Sequence, residues 1–342
     1  MPIAPIFPVQ FFYLNTFSWT RLRAYYSYIF ALASCCLSNN NMFIKQIESK
    51  HSTNEIKSQY TRLVLKYLMN RNNFIAIYDI TPSAKFLYFS ESFTDCCGWE
   101  PNELIGKSSY MYFHPEDHSA LKRFHYANVA NQKMSSMISH RFLHKNGSWV
   151  PIDTLVSYCY DILVTTTFVL GPESMDHRMR VNSVDEFFIC KSDGSLQLSG
   201  AWNDKEERMK LTMEDGENWS NIVTNHKPEK RFCLILNRFT DALNIAFASS
   251  MIEELTGTPI SDAFGKSIFE FIRERDISAF ITQIDLTIEN NLVIRIRFDW
   301  IVNQQQELYQ PLEAIASCTD DGVVLVIRQT PNFDLDQQQQ QQ

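Results

Sequence analysis

Glycine is scarce, with 10 in 342 residues, so loops built on glycine-rich runs are not a feature of this chain. Cysteine occurs eight times, at 35, 36, 96, 97, 159, 190, 233 and 318, and never as C-x-x-C. That spacing excludes zinc-ribbon and GATA-type fingers, nothing reads as a disulfide framework, and a reducing interior is the plainer setting. Positive charge is also short. The formal net charge is −8, against the dense basic surface that nonspecific nucleic-acid binding draws on. Long apolar runs are missing too: "AYYSYIFALASCCL" (24–37) falls short of the roughly 20 residues needed to span a bilayer. It follows Arg21 and Arg23 and contains "ALAS", which mimics a secretory signal. The segment ahead of it is longer and more aromatic than a basic leader. Residues 1–42 are therefore an apolar extension with two readings, a signal segment or a stretch ahead of a true start at Met42. Nucleophile signatures such as G-x-S-x-G are absent as well.

What the chain does hold is a repeat. "GWEPNELIGKSSYMYFHPEDHSAL" (98–121) and "GTPISDAFGKSIFEFIRERDISAF" (257–280) align without a gap at a shift of 159, with seven identities in 24. Upstream, "FIAIYDITPSAKFLYFSESF" parallels "CLILNRFTDALNIAFASSMI", each reading as two short strands joined by a polar turn. Downstream, Asn146-Gly147 marks a hairpin in which both turn positions want φ > 0. Each repeat closes on an apolar run, "ILVTTTFVL" (162–170) and "VVLVIRQ" (323–329). A long helix is clearest in the second repeat, where Ile277, Phe280, Ile281, Ile284 and Ile288 form one stripe. The expected class is α+β: two units of about 100 residues, each a single antiparallel sheet with helices on one face.

Around the repeats, 43–72 reads as a flanking helix with Ile56, Tyr60, Leu63 and Tyr67 on one side. Residues 171–230 read as a linker with a short hairpin at Asp193-Gly194, and 330–342 as a disordered Gln-rich tail.

"HPEDH" (114–118) admits a metal-site reading and a structural one. The order is H-x-E-x-H rather than H-E-x-x-H. Pro115 suits a first helical position, which puts His114 at the cap, off the helix face carrying His118. As a helix start, Asp117 would accept from the free amides and suit the positive end of the dipole. The second repeat keeps Asp276 and replaces the rest, so no metal is expected and the structural reading leads. Gly106 and Gly265, each ahead of Lys-Ser, read as positions needing φ > 0. With Pro101 and Ile260 five residues earlier, neither makes a phosphate loop. Cys96-Cys97 read as small apolar residues in a short helix.

"FTDCCGWEPNELIGKSSYMYFHPEDHSALKRF", with "RFLHKNGSWVPI" downstream, resembles a PAS domain over 73–170, and a fainter version spans 231–329. Tandem pairs of this kind occur in fungal white-collar-like proteins and in animal bHLH-PAS transcription regulators. The resemblance implies two PAS folds, each with a five-stranded antiparallel sheet. Their expected role is a non-catalytic sensory or interaction module, a dimerising co-regulator that meets a protein partner or itself. Cytoplasmic or nuclear placement follows, with no direct nucleic-acid or membrane binding. The light-sensing branch carries a flavin-reactive Cys in a "GRNCRFLQ"-like stretch. The matching "GKSSYMYFHPED" has none, so no flavin adduct is expected. Haem would use a histidine on the long helix, His118 or His125, without a consistent second ligand. No cofactor is expected. A small-molecule receptor is the alternative, with Phe74, Ala76, Tyr78, Phe124 and Val156 lining a core cavity. An enzyme is not expected, because no segment outside the repeats is large enough for a kinase or cyclase domain.

Overall fold

The structure, a computed structural model, describes residues 72–169, 175–199 and 228–331 apart from 291 and 304. The apolar extension, the flanking helix, most of the linker and the Gln-rich tail lie outside the described residues.

The first repeat opens with β1 (Asn73–Asp79) and β2 (Phe86–Phe89), followed by short helices α1 (Ser92–Cys97) and α2 (Pro101–Leu104). Single 3-10 turns at Ser109–Met111 and Pro115–Asp117 lead into α3 (His118–Ala130). Then come β3 (Ser136–Leu143), β4 (Trp149–Cys159) and β5 (Ile162–Phe168). Gly98 ends α1 at φ 73°, and Gly106 turns the chain at φ 81°, where a side chain would be strained. At the β3–β4 hairpin only Gly147 has positive φ. The loop is five residues long, with Asn146 Oδ1 accepting from Ser148 N at 2.9 Å, so the two-residue turn expected from Asn-Gly is not formed.

Residues read as linker continue the first unit. Helix α4 (Met175–Ser183) leads to β6 (Glu186–Cys190) and β7 (Leu196–Ser199). The hairpin at Asp193-Gly194 forms, and β6 docks parallel to β3, with Ser136 opposite Glu186 and Ser139 opposite Ile189. The first sheet thus has seven strands in the order β2-β1-β5-β4-β3-β6-β7, not five, and one of its pairings is parallel. The cause is apolar: Phe188 of β6 is fully buried and meets Phe124 of α3 edge-on at 5.6 Å. Burying one aromatic side chain of this size contributes a few kcal/mol, about 1.5–3. Nor do all helices share one face. Val181 and Val184, at the end of α4, pack with Met137, Leu155 and Phe187, which point away from α3.

The second repeat runs β8 (Arg231–Leu236), β9 (Ile245–Ala248), α5 (Met251–Thr256), α6 (Ile260–Ala263), a 3-10 turn at Ile268–Glu270, and α7 (Glu274–Asn290). It ends in β10 (Ile294–Asn303), β11 (Leu308–Thr319) and β12 (Gly322–Gln329). Its sheet has five antiparallel strands, β10-β11-β12-β8-β9, the same order as β3-β4-β5-β1-β2. On α7 the expected stripe is narrower than read. Phe280 and Ile284 are buried and Ile277 and Ile288 half-buried, while Ile281 is 38% exposed.

Strands alternate their side chains between faces. In β1, Phe74, Ala76 and Tyr78 enter the first core, and Ile75 and Ile77 point outward. These outward residues are buried as well, because the two sheets lie back to back. Ile75, Ile77, Cys159 and Val164 pack on Cys233, Ile235, Val324 and Val326. Strands covered on both faces read as continuous apolar runs, as "FIAIY", "FCLIL" and "VVLVI" do here.

Candidate functional site

Three of the five residues expected to line a cavity do so. Tyr78, Phe124 and Val156 border a cavity of about 50 Å³ in the first core. Phe74 and Ala76 do not reach it. The Phe74 ring is packed edge-on against Phe93 at 5.1 Å, and Ala76 offers its carbonyl to Thr165 Oγ1 at 2.9 Å. The rest of the lining includes the polar groups Ser109, His140, Thr154 and Thr165, not expected there from the sequence, and His125, expected only as a haem candidate. Their signal was available, since His140, Thr154 and Thr165 occupy inward-pointing strand positions.

His140 Nε2 lies 3.2 Å from Thr154 Oγ1, which in turn lies 3.3 Å from Thr167 Oγ1. His140 Nδ1 and Ser109 Oγ are buried without a hydrogen-bond partner. Burial pushes the His140 pKa down to about 4, although the nearby Asp117 charge acts the other way. His125 is also lowered by burial, opposed by its contact with the Thr81 carbonyl. One water needs about 10–15 Å³ of such space and a drug-sized ligand several hundred. The cavity therefore suits a few waters or a very small polar molecule.

The haem candidates do not converge. His118 Nε2 lies 3.0 Å from the Phe113 carbonyl, and His125 Nε2 lies 2.8 Å from the Thr81 carbonyl. Neither ring faces a space that would take a porphyrin, so these residues do not fit haem. In "HPEDH", the His114 ring accepts from Glu116 N at 3.3 Å and meets the Trp149 ring at 4.5 Å, apart from the His118 contact. Among the described residues no three His, Cys, Asp or Glu side chains are grouped to hold a metal. Cys97 is buried, and burial raises its thiol pKa, which suits packing rather than reaction.

Asp117 works as a clasp more than as a cap. Its carboxylate is fully buried and makes no capping bond to the helix it precedes. It accepts from Arg141 N at 2.9 Å, Arg141 Nε at 3.2 Å and Arg141 Nη2 at 2.6 Å, tying the start of α3 to β3. Those bonds hold the Arg141 guanidinium firmly protonated. Asp276 repeats the backbone part, accepting from Asp299 N at 2.9 Å. The charges around it are exchanged: the strand carries Asp299, and the helix start supplies Arg273 and Arg275 at 3.2 Å and 2.7 Å. An aromatic residue on the next strand closes each clasp, Trp149 on His114 and Tyr309 under Arg273 at 4.2 Å.

The outer faces of the two sheets are mated through an apolar cluster. β4 lies on β8 and β12, and β11 lies on β1 and β5. At the rim, Asp321 accepts from Ser92 N at 3.0 Å and Ser92 Oγ at 2.7 Å, holding the start of α1. Asn73 Oδ1 accepts from Asp320 N at 2.6 Å, and Arg231, at the matching place in β8, donates to the Tyr158 carbonyl at 3.1 Å. Arg295 bridges Asp185 of the first unit and Glu313 of the second.

Comparison with known proteins matches a profile of the PAS fold to residues 86–162. Basic helix-loop-helix ARNT-like protein 2 of Mus musculus is 36% identical over 70 residues, 20% of this chain and 12% of that protein. Hypoxia-inducible factor 1-alpha of Bos taurus is 34% identical over 77 residues, 22% of this chain and 9% of that protein. The match therefore spans about a tenth of these relatives' length. Among solved structures, the Drosophila melanogaster Cycle PAS-B domain with bound ethylene glycol aligns at 24% identity and TM-score 0.26, over 28% of this chain and 99% of that one. The Cronobacter turicensis RpfR quorum-sensing receptor PAS domain aligns at 16% identity and TM-score 0.27, over 30% and 99%. The first repeat, with its sheet, its short helices and its profile match, is thus a PAS domain related in sequence to bHLH-PAS proteins.

Proposed function

We propose that this chain is a non-catalytic tandem PAS module that works by protein association, as a dimerising co-regulator in signalling or transcription. The second repeat is taken as a PAS fold too, because it follows the same strand order and keeps the aspartate clasp. The observation that carries the reading is the outer sheet face of the first repeat, which already serves as an extended apolar docking surface for another folded unit. Interfaces of that kind are what such a module offers to partners. Cytoplasmic or nuclear action through protein partners accords with the net charge of −8, which does not favour direct nucleic-acid contact. Sedimentation of the full chain at tens of micromolar, alone and with proteins co-purifying from the native cell, tests this. Concentration-dependent association or a stoichiometric partner is expected. A monomer without a partner would overturn the reading.

A second reading, a small-molecule sensor, is favoured by one observation: the unpartnered Ser109 Oγ and His140 Nδ1 at the first-repeat cavity. Native mass spectrometry of protein purified from its own cell would show a retained small molecule that Ser109→Leu displaces. A ligand-free spectrum in both proteins would remove this reading.

A further inference from the structure

We propose that Ser183 is a phosphorylation site for an arginine-directed protein kinase, and that its phosphate releases the end of α4 from the second repeat. The site stands apart from both the association reading and the first-repeat cavity.

The residues around it are "RMRVNSV" (178–184). Arg178 and Arg180 stand five and three positions ahead of the serine, and Val184 follows it. A kinase whose peptide groove is lined by carboxylates pairs with guanidinium groups at such fixed offsets, through charge-assisted and often bidentate hydrogen bonds. The step transfers the terminal phosphoryl group of magnesium-bound ATP. A bond forms between Ser183 Oγ and the γ-phosphorus, and the bond from that phosphorus to the β–γ bridging oxygen breaks. ADP leaves, and the hydroxyl proton is released.

The present contacts of the hydroxyl give the modification its effect. Ser183 is the last residue of α4. Its Oγ donates to the Arg180 carbonyl at 2.9 Å and accepts from Val293 N of the second repeat at 3.0 Å. Beside that bond, Val184 packs with Val293 and Ile315. A phosphate ester has no hydroxyl hydrogen left to donate to the Arg180 carbonyl. It also sets a charge of about −1.5 to −2 at the negative end of a helix and two residues from Asp185. All three effects act against the docked turn.

The seat of α4 is already weakened by Arg180, the helix's fully buried side chain. Its guanidinium lies over the Phe168 ring at 3.9 Å, and its Nε and Nη2 have no hydrogen-bond partner. A buried cation short of acceptors weakens the docking of the helix that carries it. When the last turn lifts, Arg180 reaches solvent together with Ser183. One local opening therefore presents both the phosphate acceptor and the arginine three positions before it.

Arg273 and Arg275 precede Ser278 at the same offsets, so the test uses the full chain carrying Ser278→Ala. Incubated with magnesium ATP and a purified arginine-directed kinase, it should be labelled at Ser183, as read by peptide mass spectrometry. Arg178 is exposed, so Arg178→Gln leaves the fold intact. It should slow the labelling by about tenfold, and Arg180→Gln by as much. Hydrogen exchange then compares phosphorylated and unmodified protein. The amides of residues 181–184 and of Val293 should exchange about tenfold faster after phosphorylation, with β1 and β5 unchanged. No label at Ser183, or a labelling rate indifferent to both arginines, would overturn the site. Label at Ser183 with unchanged exchange at Val293 would overturn the release.

Discussion

Replacing Asp117 by alanine removes the acceptor for the Arg141 amide and for two of its guanidinium nitrogens at once. Breaking a buried pair costs several kcal/mol, less where one partner reaches solvent, as Arg141 does. Asp117→Ala should destabilise by about 2–3 kcal/mol in urea unfolding. Asp276→Ala should cost about half as much, because one backbone amide carries most of its load. His140 predicts a pH effect. Its folded pKa of about 4 lies below the value of about 6.5 expected in the unfolded chain. As pH falls, the unfolded state takes the proton first. The contribution of His140 is therefore complete above about pH 6.5 and is lost toward pH 4, by as much as about 3 kcal/mol. Denaturant midpoints across this range should fall, and His140→Gln should flatten the fall. At this scale the sequence was half legible. That Asp117 and Asp276 matter was visible from the repeat, but their partners lie 24 and 23 positions away, beyond what local spacing reports.

Among elements, β6 departs furthest from the sequence reading. Its hairpin was legible in Asp193-Gly194, while its docking was not, because a parallel pairing across a helix leaves no turn signature. Phe188→Ala tests its place. A linker phenylalanine would tolerate the change, whereas this one should cost about 3–5 kcal/mol and weaken exchange protection along β3. The glycine turns offer a paired check. Gly106→Ala and Gly265→Ala each face open space but hold φ near 80°. Each should cost about 1 kcal/mol through backbone strain alone, and equally in the two repeats. The stripe on α7 was read one residue too wide, since a helix on a sheet buries a narrow line and leaves Ile281 at the margin.

For the molecule as a whole, the back-to-back sheets predict one unfolding transition across both repeats, and Asp321→Ala should begin to separate it into two in calorimetry. The continuous apolar runs in β1, β8 and β12 announced strands covered on both faces, but no property of the sequence says which surface covers them. The exchanged charges at the two clasps have a consequence for assembly. While the chain is being made, two nearly equivalent helix starts and two nearly equivalent strands are present together, a setting in which repeat proteins mispair. A first-repeat helix start on the second-repeat strand would place Glu116 and Asp117 beside Asp299, and the reverse would place Arg273 and Arg275 beside Arg141. Each helix start thus carries a charge pattern matched to its own strand, which favours pairing within a repeat over pairing across repeats.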